Sequence, residues 1–215
     1  MQVDFELQGS TALLMHSDDI ENGDIVKQWQ NDPKNKDVSV KGDDRSPAWT
    51  WQSYLYTSAE SIVMPSANLM ACLRSAGARM ILKGNKTYKE ATQAGLGCLT
   101  EDCALLVDGK EVSLLEIAKI REKTFVEQCE AVRKLGFRLW AKRARVGQAK
   151  HVRVRPRFDS WSVTGSLIVY ETDILKKDIL VQLFEIAGNL GLGDWRPGCK
   201  TPGMFGKFQS QLKFH

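Results

Sequence analysis

The arrangement of helices and strands in this chain follows from one stretch of sequence, Ile62-Val-Met-Pro-Ser-Ala-Asn-Leu-Met-Ala-Cys-Leu-Arg-Ser-Ala-Gly77. Pro65 and Ser66 are typical of the start of a helix. The apolar residues after them recur every three or four positions, as one buried face of a helix requires: Leu69, Leu73, Ala76 and Met80. The stretch therefore predicts an amphipathic helix that begins beside Pro65.

The start of this helix is also a possible anion site. Backbone amides of a first helical turn lack partners inside the helix, and the helix dipole favours a negative charge there. Arg74 and Arg79 lie outside the apolar stripe. They are candidate phosphate ligands, and the alternative is that both are solvated helix residues.

Outward from this helix, the chain alternates strands with a second helix. Val3, Phe5 and Leu7 alternate with polar residues and predict an opening strand. A second amphipathic helix is predicted from Leu175 to Leu190, and further strands are predicted at Ala104–Val107, Trp161–Tyr170 and Phe205–Phe214. This order predicts an α+β fold with a ferredoxin-like (RRM-like) βαββαβ sheet, helices on one face and two insertions.

The domain prediction is a single domain over residues 1–215. One insertion, at about 17–61, follows the first strand and is polar, with several Trp and Tyr residues. The other, at about 110–158, is basic.

The charge of the chain is unevenly distributed. The formal net charge is only +4, but residues Ala131 to Phe158 contain ten Lys or Arg and no Asp or Glu. An acidic remainder with one basic segment is typical of a protein that binds a polyanion. The candidate nucleic-acid ligands in this segment are Lys142, Arg143, Arg145, Lys150, Arg153, Arg155 and Arg157.

Alternation near the end of the basic segment predicts how its arginines point. Val152, Val154, Pro156 and Phe158 repeat with period two, so a strand would place them towards the core. The intervening residues Arg153, Arg155 and Arg157 should then project together, as a row suited to successive phosphates. Trp140 can stack on an unpaired base, but the expectation for a Trp is that it lies in the core.

A second distinctive stretch is Gly188-Asn-Leu-Gly-Leu-Gly-Asp-Trp-Arg-Pro-Gly-Cys-Lys-Thr-Pro-Gly-Met-Phe-Gly206, with six glycines in nineteen residues. It is neither a dinucleotide fingerprint nor a Walker loop, because Arg196 occupies the third glycine position and no Gly-Lys-Ser or Gly-Lys-Thr occurs. It is a structural loop or a binding loop. In the second case Trp195, Arg196, Lys200 and Lys207 would contact nucleic acid, in one groove with the basic segment.

These two stretches resemble the RAMP superfamily, the RNA-binding proteins of CRISPR effector complexes. Met64-Pro-Ser-Ala-Asn-Leu and Leu73-Arg-Ser-Ala are similar to its helix start, and Gly191-Leu-Gly with Pro202-Gly-Met-Phe-Gly206 is similar to its glycine-rich loop. The likeness is closest to the backbone subunits that polymerise along guide RNA. The Trp195-Arg196-Pro197 element is a departure from this pattern.

The resemblance implies an antiviral-defence ribonucleoprotein subunit that oligomerises along single-stranded guide RNA beside other effector subunits. No catalysis is expected, because the aspartate with which some backbone subunits cut RNA has no secure match among Asp18, Asp19, Asp24, Asp43 and Asp44. One alternative is a metal-independent endoribonuclease that processes guide precursors, with His16 as general base and His151 as acid. The other is a viral or structural interaction protein that binds nucleic acid or mimics such a subunit.

The sequence is not typical of a membrane, secreted or metal-binding protein. No apolar run approaches the roughly 20 residues that span a bilayer, and no secretory signal is visible at the N-terminus, so a cytoplasmic protein is expected. Five irregularly spaced cysteines suit reduced thiols, and three scattered histidines form no zinc pattern. No metal or other cofactor is predicted.

Overall fold

The fold was analysed in a computed structural model that describes residues 1–58, 61–146 and 148–215, with the backbone alone at residue 146. The predicted insertions include residues 59, 60 and 147, which lie outside this set. The chain forms two compact units. Unit 1 consists of Met1–Leu13, Val63–Glu111 and Asp159–His215, and unit 2 consists of Leu14–Ile62 and Val112–Phe158.

Strands and helices alternate through both units. In the described residues the strands are β1 (Gln2–Gly9), β2 (Leu13–Leu14), β3 (Thr57–Ser58), β4 (Ser61–Pro65), β5 (Ile81–Lys83), β6 (Lys86–Thr87), β7 (Leu96–Cys98), β8 (Asp102–Val107), β9 (Lys110–Glu111), β10 (Arg138–Val146), β11 (Ala149–Phe158), β12 (Ser162–Val169) and β13 (Phe208–Phe214). The α-helices are α1 (Ile20–Asn31), α2 (Ser66–Gly77), α3 (Lys89–Gly95), α4 (Leu114–Ala118), α5 (Phe125–Lys134) and α6 (Lys177–Leu190). Two short 3₁₀ helices span Pro33–Asn35 and Thr50–Tyr54. The predicted α+β class is confirmed.

Unit 1 is a sheet covered by helices on one face. Its strands follow the order β13-β1-β12-β8-β4, and each neighbouring pair is antiparallel. Val3, Phe5 and Leu7 of β1 point into the core, where the rings of Phe5 and Phe184 of α6 lie 6.1 Å apart. Asp4 and Glu6 alternate to the opposite face, where they line a shallow depression of about 530 Å³.

The glycine at position 188 permits α6 to lie directly against β13. A Cβ built on Gly188 would stand 2.2 Å from the carbonyl oxygen of Phe208, closer than van der Waals radii allow. The atom it would meet belongs to the backbone and cannot turn aside as a side chain can. The helix and the strand are therefore closely packed because residue 188 lacks a side chain.

Unit 2 combines the two segments that the sequence analysis treated as separate insertions. Its sheet has the order β10-β11-β2, and the chain enters the unit at β2. The ring of Phe137 lies 5.9 Å from that of Trp51 and 5.1 Å from that of Phe158. The indole of Trp51 donates a 2.6 Å hydrogen bond to the side-chain oxygen of Gln128, and both residues are fully buried. Residues from both segments thus form one core.

Helix α1 is the main difference from the sequence-based description of unit 2. The sequence predicted no helix in the polar insertion, but Ile20–Asn31 forms a twelve-residue helix without a buried residue. The Asp19 carboxylate accepts the Asn22 amide and caps its start. Helix α5 was not predicted at all, and a reciprocal capping box between Thr124 and Glu127 begins it.

Replacing Gly188 with Ala should destabilise the protein by about 1–3 kcal/mol, because the new methyl group overpacks the contact between α6 and β13. The matched control is Gly23→Ala in α1, where an added Cβ meets nothing within 4 Å. That control should stabilise α1 by up to about 1 kcal/mol. Thermal and urea denaturation of the two variants measures both effects. Equal stabilities would contradict the packing described for α6.

Candidate nucleic-acid interface

Strands β10 and β11 form a long two-stranded ribbon in unit 2. Their antiparallel register pairs Arg138 with Arg157, Trp140 with Arg155 and Lys142 with Arg153. Directly opposed residues of antiparallel strands point to the same side. We call the side that carries these residues the basic face, and its members are Arg138, Trp140, Lys142, Arg153, Arg155 and Arg157.

Trp140 lies in the middle of the basic face and is partly exposed. The Lys142 ammonium nitrogen is 5.8 Å from the centre of its ring, within the range of a cation–π contact. The expectation that Trp140 belongs to the core is wrong, because it stands on a ribbon and on the side opposite Val154, which is fully buried. A partly exposed indole among cations is a suitable surface for stacking.

Arg155 does not project into solvent as the alternation predicted. It is 8% exposed and donates a 3.2 Å hydrogen bond to Oδ2 of Asp44. Its guanidinium carbon also lies 4.5 Å from the centre of the Tyr54 ring. The predicted row of three exposed arginines is therefore wrong at its middle member, because residues 42–54 cover this part of the face. Arg153 and Arg157 are partly exposed.

Asp44 is the anion on which the covered part of the basic face is built. It is 5% exposed, and its two carboxylate oxygens accept hydrogen bonds from Arg153 (2.9 Å), the Val154 amide (3.0 Å) and Arg155 (3.2 Å). One carboxylate thus binds two guanidiniums, so the cluster keeps a positive charge. The hydrogen bonds also fix where both arginines point.

The backbone brings Asp44 to this position. The Val152 amide donates to the Gly42 carbonyl, and the Asp44 amide donates to the Val152 carbonyl, each at 3.0 Å. This short parallel pairing runs along the edge of β11. Gly42 has a φ of +81°, and a Cβ there would stand 2.3 Å from Nδ1 of His151. Glycine therefore permits both the turn and the close approach to the ribbon.

Tyr54 closes the cluster from the other side. Burial raises its pKa to about 12, and the negative charge of Asp44 contributes in the same direction. The phenol is therefore neutral at physiological pH. The rings of His16 and Tyr54 pack in a T-shaped arrangement, with centroids 4.9 Å apart, while the imidazole remains exposed.

The end of the ribbon is a second basic region. Arg143, Arg145 and Lys150 are exposed and, with Ala144 and Gln148, line a depression of about 450 Å³. Together with the basic face, they give β10 and β11 eight Lys or Arg and no acidic residue. We call Arg143, Arg145 and Lys150 the ribbon tip.

The candidate residues of the glycine-rich loop belong to unit 1 and are less exposed. Lys200 is exposed, whereas Trp195, Arg196 and Lys207 are partly buried. A guanidinium nitrogen of Arg196 donates a 2.6 Å hydrogen bond to the carbonyl of Gly193 inside the loop. Arg196 therefore stabilises the conformation of the loop as well as contributing positive charge.

The glycines of this loop are explained by close packing of the loop against itself. The Leu192 amide donates to the Gly206 carbonyl at 2.9 Å, and a Cβ on Gly206 would stand 1.8 Å from the Leu192 carbonyl oxygen. A Cβ on Gly203 would likewise stand 1.9 Å from the carbonyl oxygen of Trp195. The structural explanation of the glycine content, one of the two alternatives, thus accounts for these positions.

The other candidates in unit 1 are on helix α2 and just after it. Arg74 and Arg79 are both exposed. The amide of Ser66, the first residue of α2, donates to the Glu101 carbonyl at 2.8 Å, so this amide is already used within the protein. The unit 1 candidates and the basic ribbon belong to different units, and their convergence in one groove stays a prediction.

The residues considered for catalysis have structural partners in several cases. Asp43 forms an ion pair with Arg45 at 2.6 Å, and Asp44 is the buried anion of the basic face. His151 is partly buried, and its Nδ1 atom accepts or donates no hydrogen bond among the described residues. The described part of the chain contains no group of three or more His, Cys, Asp or Glu able to hold a metal ion.

Comparison with known proteins adds no relative: no protein-family model matches the chain, and no curated protein matches it. Within the described residues no helix is long and apolar enough to cross a membrane.

Replacing Asp44 with Asn should destabilise the protein by about 3–5 kcal/mol, because Arg155 would remain buried without its counter-charge. The control is Asp43→Asn, which removes the neighbouring carboxylate. Its partner Arg45 has a side chain that is 48% exposed, so about 1 kcal/mol or less should be lost. Urea denaturation compares the two variants. Similar losses for both would show that Asp44 does not hold the buried arginine in place.

Proposed function

We propose that this protein binds single-stranded RNA through the basic face and the ribbon tip of β10 and β11. The observation that carries the proposal is the position of Trp140, which is partly exposed and shares one side of the ribbon with five Lys or Arg residues. An aromatic ring binds the face of an unpaired base, and the surrounding cations bind the phosphates on either side of it.

The chemistry of the face favours a single strand over a duplex. Stacking on Trp140 requires a base that is not already stacked on both sides, as in single-stranded segments. Arg138 and Lys142 are exposed and can contact phosphates without reading base edges. Binding with little dependence on sequence follows.

Asp44 supports this function by arranging the arginines in advance. Arg153 is held by a 2.9 Å hydrogen bond to Asp44, yet its side chain is 33% exposed, so the guanidinium can contact a ligand at the same time. A side chain that is already oriented loses less conformational entropy when it binds. The carboxylate that reduces the local charge therefore also reduces the entropic cost of binding.

The likeness to the RAMP superfamily extends this proposal to a particular kind of complex. In unit 1 the strand order β13-β1-β12-β8, with α2 between β1 and β8 and α6 between β12 and β13, supports the ferredoxin-like assignment. The protein would then be a non-catalytic backbone subunit of a CRISPR-type ribonucleoprotein. Copies of it would lie side by side on guide RNA, with Arg74, Arg79, Trp195, Arg196, Lys200 and Lys207 as further contacts.

Replacing Trp140 with Ala should weaken binding to a fluorescently labelled oligouridine by about 5- to 100-fold, because one base loses its stacking partner. Trp140→Phe should retain most of the affinity. Trp29→Ala is the control, since Trp29 is also partly exposed but lies in α1. Fluorescence anisotropy measures all three. The proposal fails if Trp140→Ala binds as tightly as the unchanged protein.

Binding should also depend steeply on salt. If about five to eight phosphates are neutralised, the slope of log affinity against log salt concentration should be roughly −3.5 to −6. Neutralising the ribbon tip with Arg143→Ala, Arg145→Ala and Lys150→Ala should make the slope less negative by about 2. The charge-matched control replaces the exposed Lys83, Lys86 and Lys89 of unit 1, and its slope should not change.

The same RNA separates the proposal from its two alternatives. Incubation in EDTA should leave the strand intact, whereas cleavage that is lost in His16→Ala would favour the endoribonuclease. A protein that binds no RNA at low salt would favour the interaction protein.

A further inference from the structure

Two cysteines of unit 1 lie side by side where β7 ends and β8 begins. The thiols of Cys98 and Cys103 both donate to the carbonyl oxygen of Thr100, at 3.1 and 3.7 Å. Cys98 is paired with Leu167 of β12, and the Sγ of Cys103 lies against Gly165 on the same strand, where a Cβ would stand 3.0 Å away. Gly165 and Leu167 lie two positions apart on β12 and so face the same side of the sheet. The side chains of Cys98 and Cys103 therefore lie on that same side, next to each other along β12.

The two thiols differ in exposure. Cys98 is partly exposed, while Cys103 is 1% exposed. A small reagent from solvent therefore meets Cys98 before Cys103. This is the spatial order of an attacking thiol and a resolving thiol.

The surroundings favour the thiolate on Cys98. Interaction with the Cys103 thiol lowers the pKa of Cys98 to about 7; the Thr100 backbone and the Ser66 side chain act in the same direction, and burial opposes them. Ser66 is the first residue of α2.

The same surroundings disfavour a second thiolate. The nearby Cys98 sulfur, burial and the charge of Asp102 all raise the pKa of Cys103. Burial also raises the pKa of Cys129, and that of Cys72 to about 12. The thiols of Cys72, Cys103 and Cys129 therefore stay protonated at neutral pH, in contrast to that of Cys98.

We propose that Cys98 and Cys103 form a redox site whose substrate is hydrogen peroxide and whose product is an intramolecular disulfide. The Cys98 thiolate attacks one peroxide oxygen, the O–O bond breaks, and the leaving hydroxide takes a proton to become water. Cys98 is then a sulfenic acid. The Cys103 thiol attacks its sulfur, the S–O bond breaks, and a second water leaves as the disulfide forms. Each disulfide consumes one peroxide and releases two waters.

The proposal is independent of RNA binding, because its residues belong to unit 1 and the basic ribbon belongs to unit 2. The test uses the full-length protein, reduced and then freed of reductant. Stoichiometric hydrogen peroxide should remove two hydrogen atoms from the intact mass. Proteolysis and mass spectrometry should then find a peptide linked through Cys98 and Cys103.

Two variants separate the roles of the thiols. Cys103→Ser should stop at the sulfenic acid, which a cyclic 1,3-diketone traps at Cys98. Cys98→Ser should form no disulfide. Cys129→Ser is the matched control, since Cys129 is also partly exposed but has a raised pKa, and it should oxidise like the unchanged protein.

The pH dependence of cysteine alkylation is a test that does not require disulfide formation. Iodoacetamide should modify Cys98 about tenfold faster than Cys129 at pH 7, because the rate follows the thiolate fraction. Ser66→Ala should shift the Cys98 profile to higher pH and leave that of Cys129 unchanged. Circular dichroism confirms that the variants are folded.

Two results would overturn the proposal. One is a peroxide-treated protein in which Cys98 is oxidised only to sulfinic or sulfonic acid while Cys103 stays a free thiol. The other is alkylation of Cys98 and Cys129 at equal rates. Neither result would bear on RNA binding.

Discussion

The buried carboxylate of Asp44 is the interaction on which the basic ribbon depends. Two guanidiniums of one strand stand near each other at Arg153 and Arg155, and their charges repel in a partly desolvated site. One carboxylate between them, joined by the Val154 amide, removes that repulsion and satisfies the groups that burial would leave unpaired. One part of the ribbon can therefore be buried while the rest remains a cationic surface.

This arrangement separates two roles within what appears from sequence as a uniform basic run. Arg155, between Asp44 and Tyr54, contributes mainly to structure. Arg153 takes part in both roles, because it is ion-paired and still partly exposed. The ribbon tip is exposed and supplies positive charge at the end of the ribbon. Counting positive residues alone would assign all of them the same function.

The glycines of this chain can likewise be explained by ligand binding or by close packing within the protein. The stretch from Gly188 to Gly206 has the composition of a ligand-binding loop, but several of its glycines are required by contacts within the protein. At Gly203 and Gly206 the atom that a side chain would meet is a backbone oxygen of the same loop. The loop is compact because its own backbone segments approach so closely. The glycine content of this loop therefore does not by itself indicate a bound ligand.

The sequence by itself determined the features that depend on local periodicity and composition. The start of α2 at Ser66, the extent of α6 and the acid-free segment are all readable because they follow from residue spacing or from a count of charges. Helix α5 was not predicted because its apolar stripe is short and only two of its residues are buried. Its capping box is the clearest indication of the helix in the sequence. Position in a strand also predicted the side on which Arg153, Arg155 and Arg157 lie.

Only the tertiary structure decided which of those side chains reach solvent. Asp44 is more than a hundred positions from Arg155 along the chain, and nothing local to either residue shows that they meet. The same holds for Trp140, whose exposure depends on which segments cover the ribbon, and for Cys98, whose thiol is affected by Ser66 of another element. Burial and charge pairing arise from contacts between distant segments, whereas periodicity reports only on neighbours in sequence.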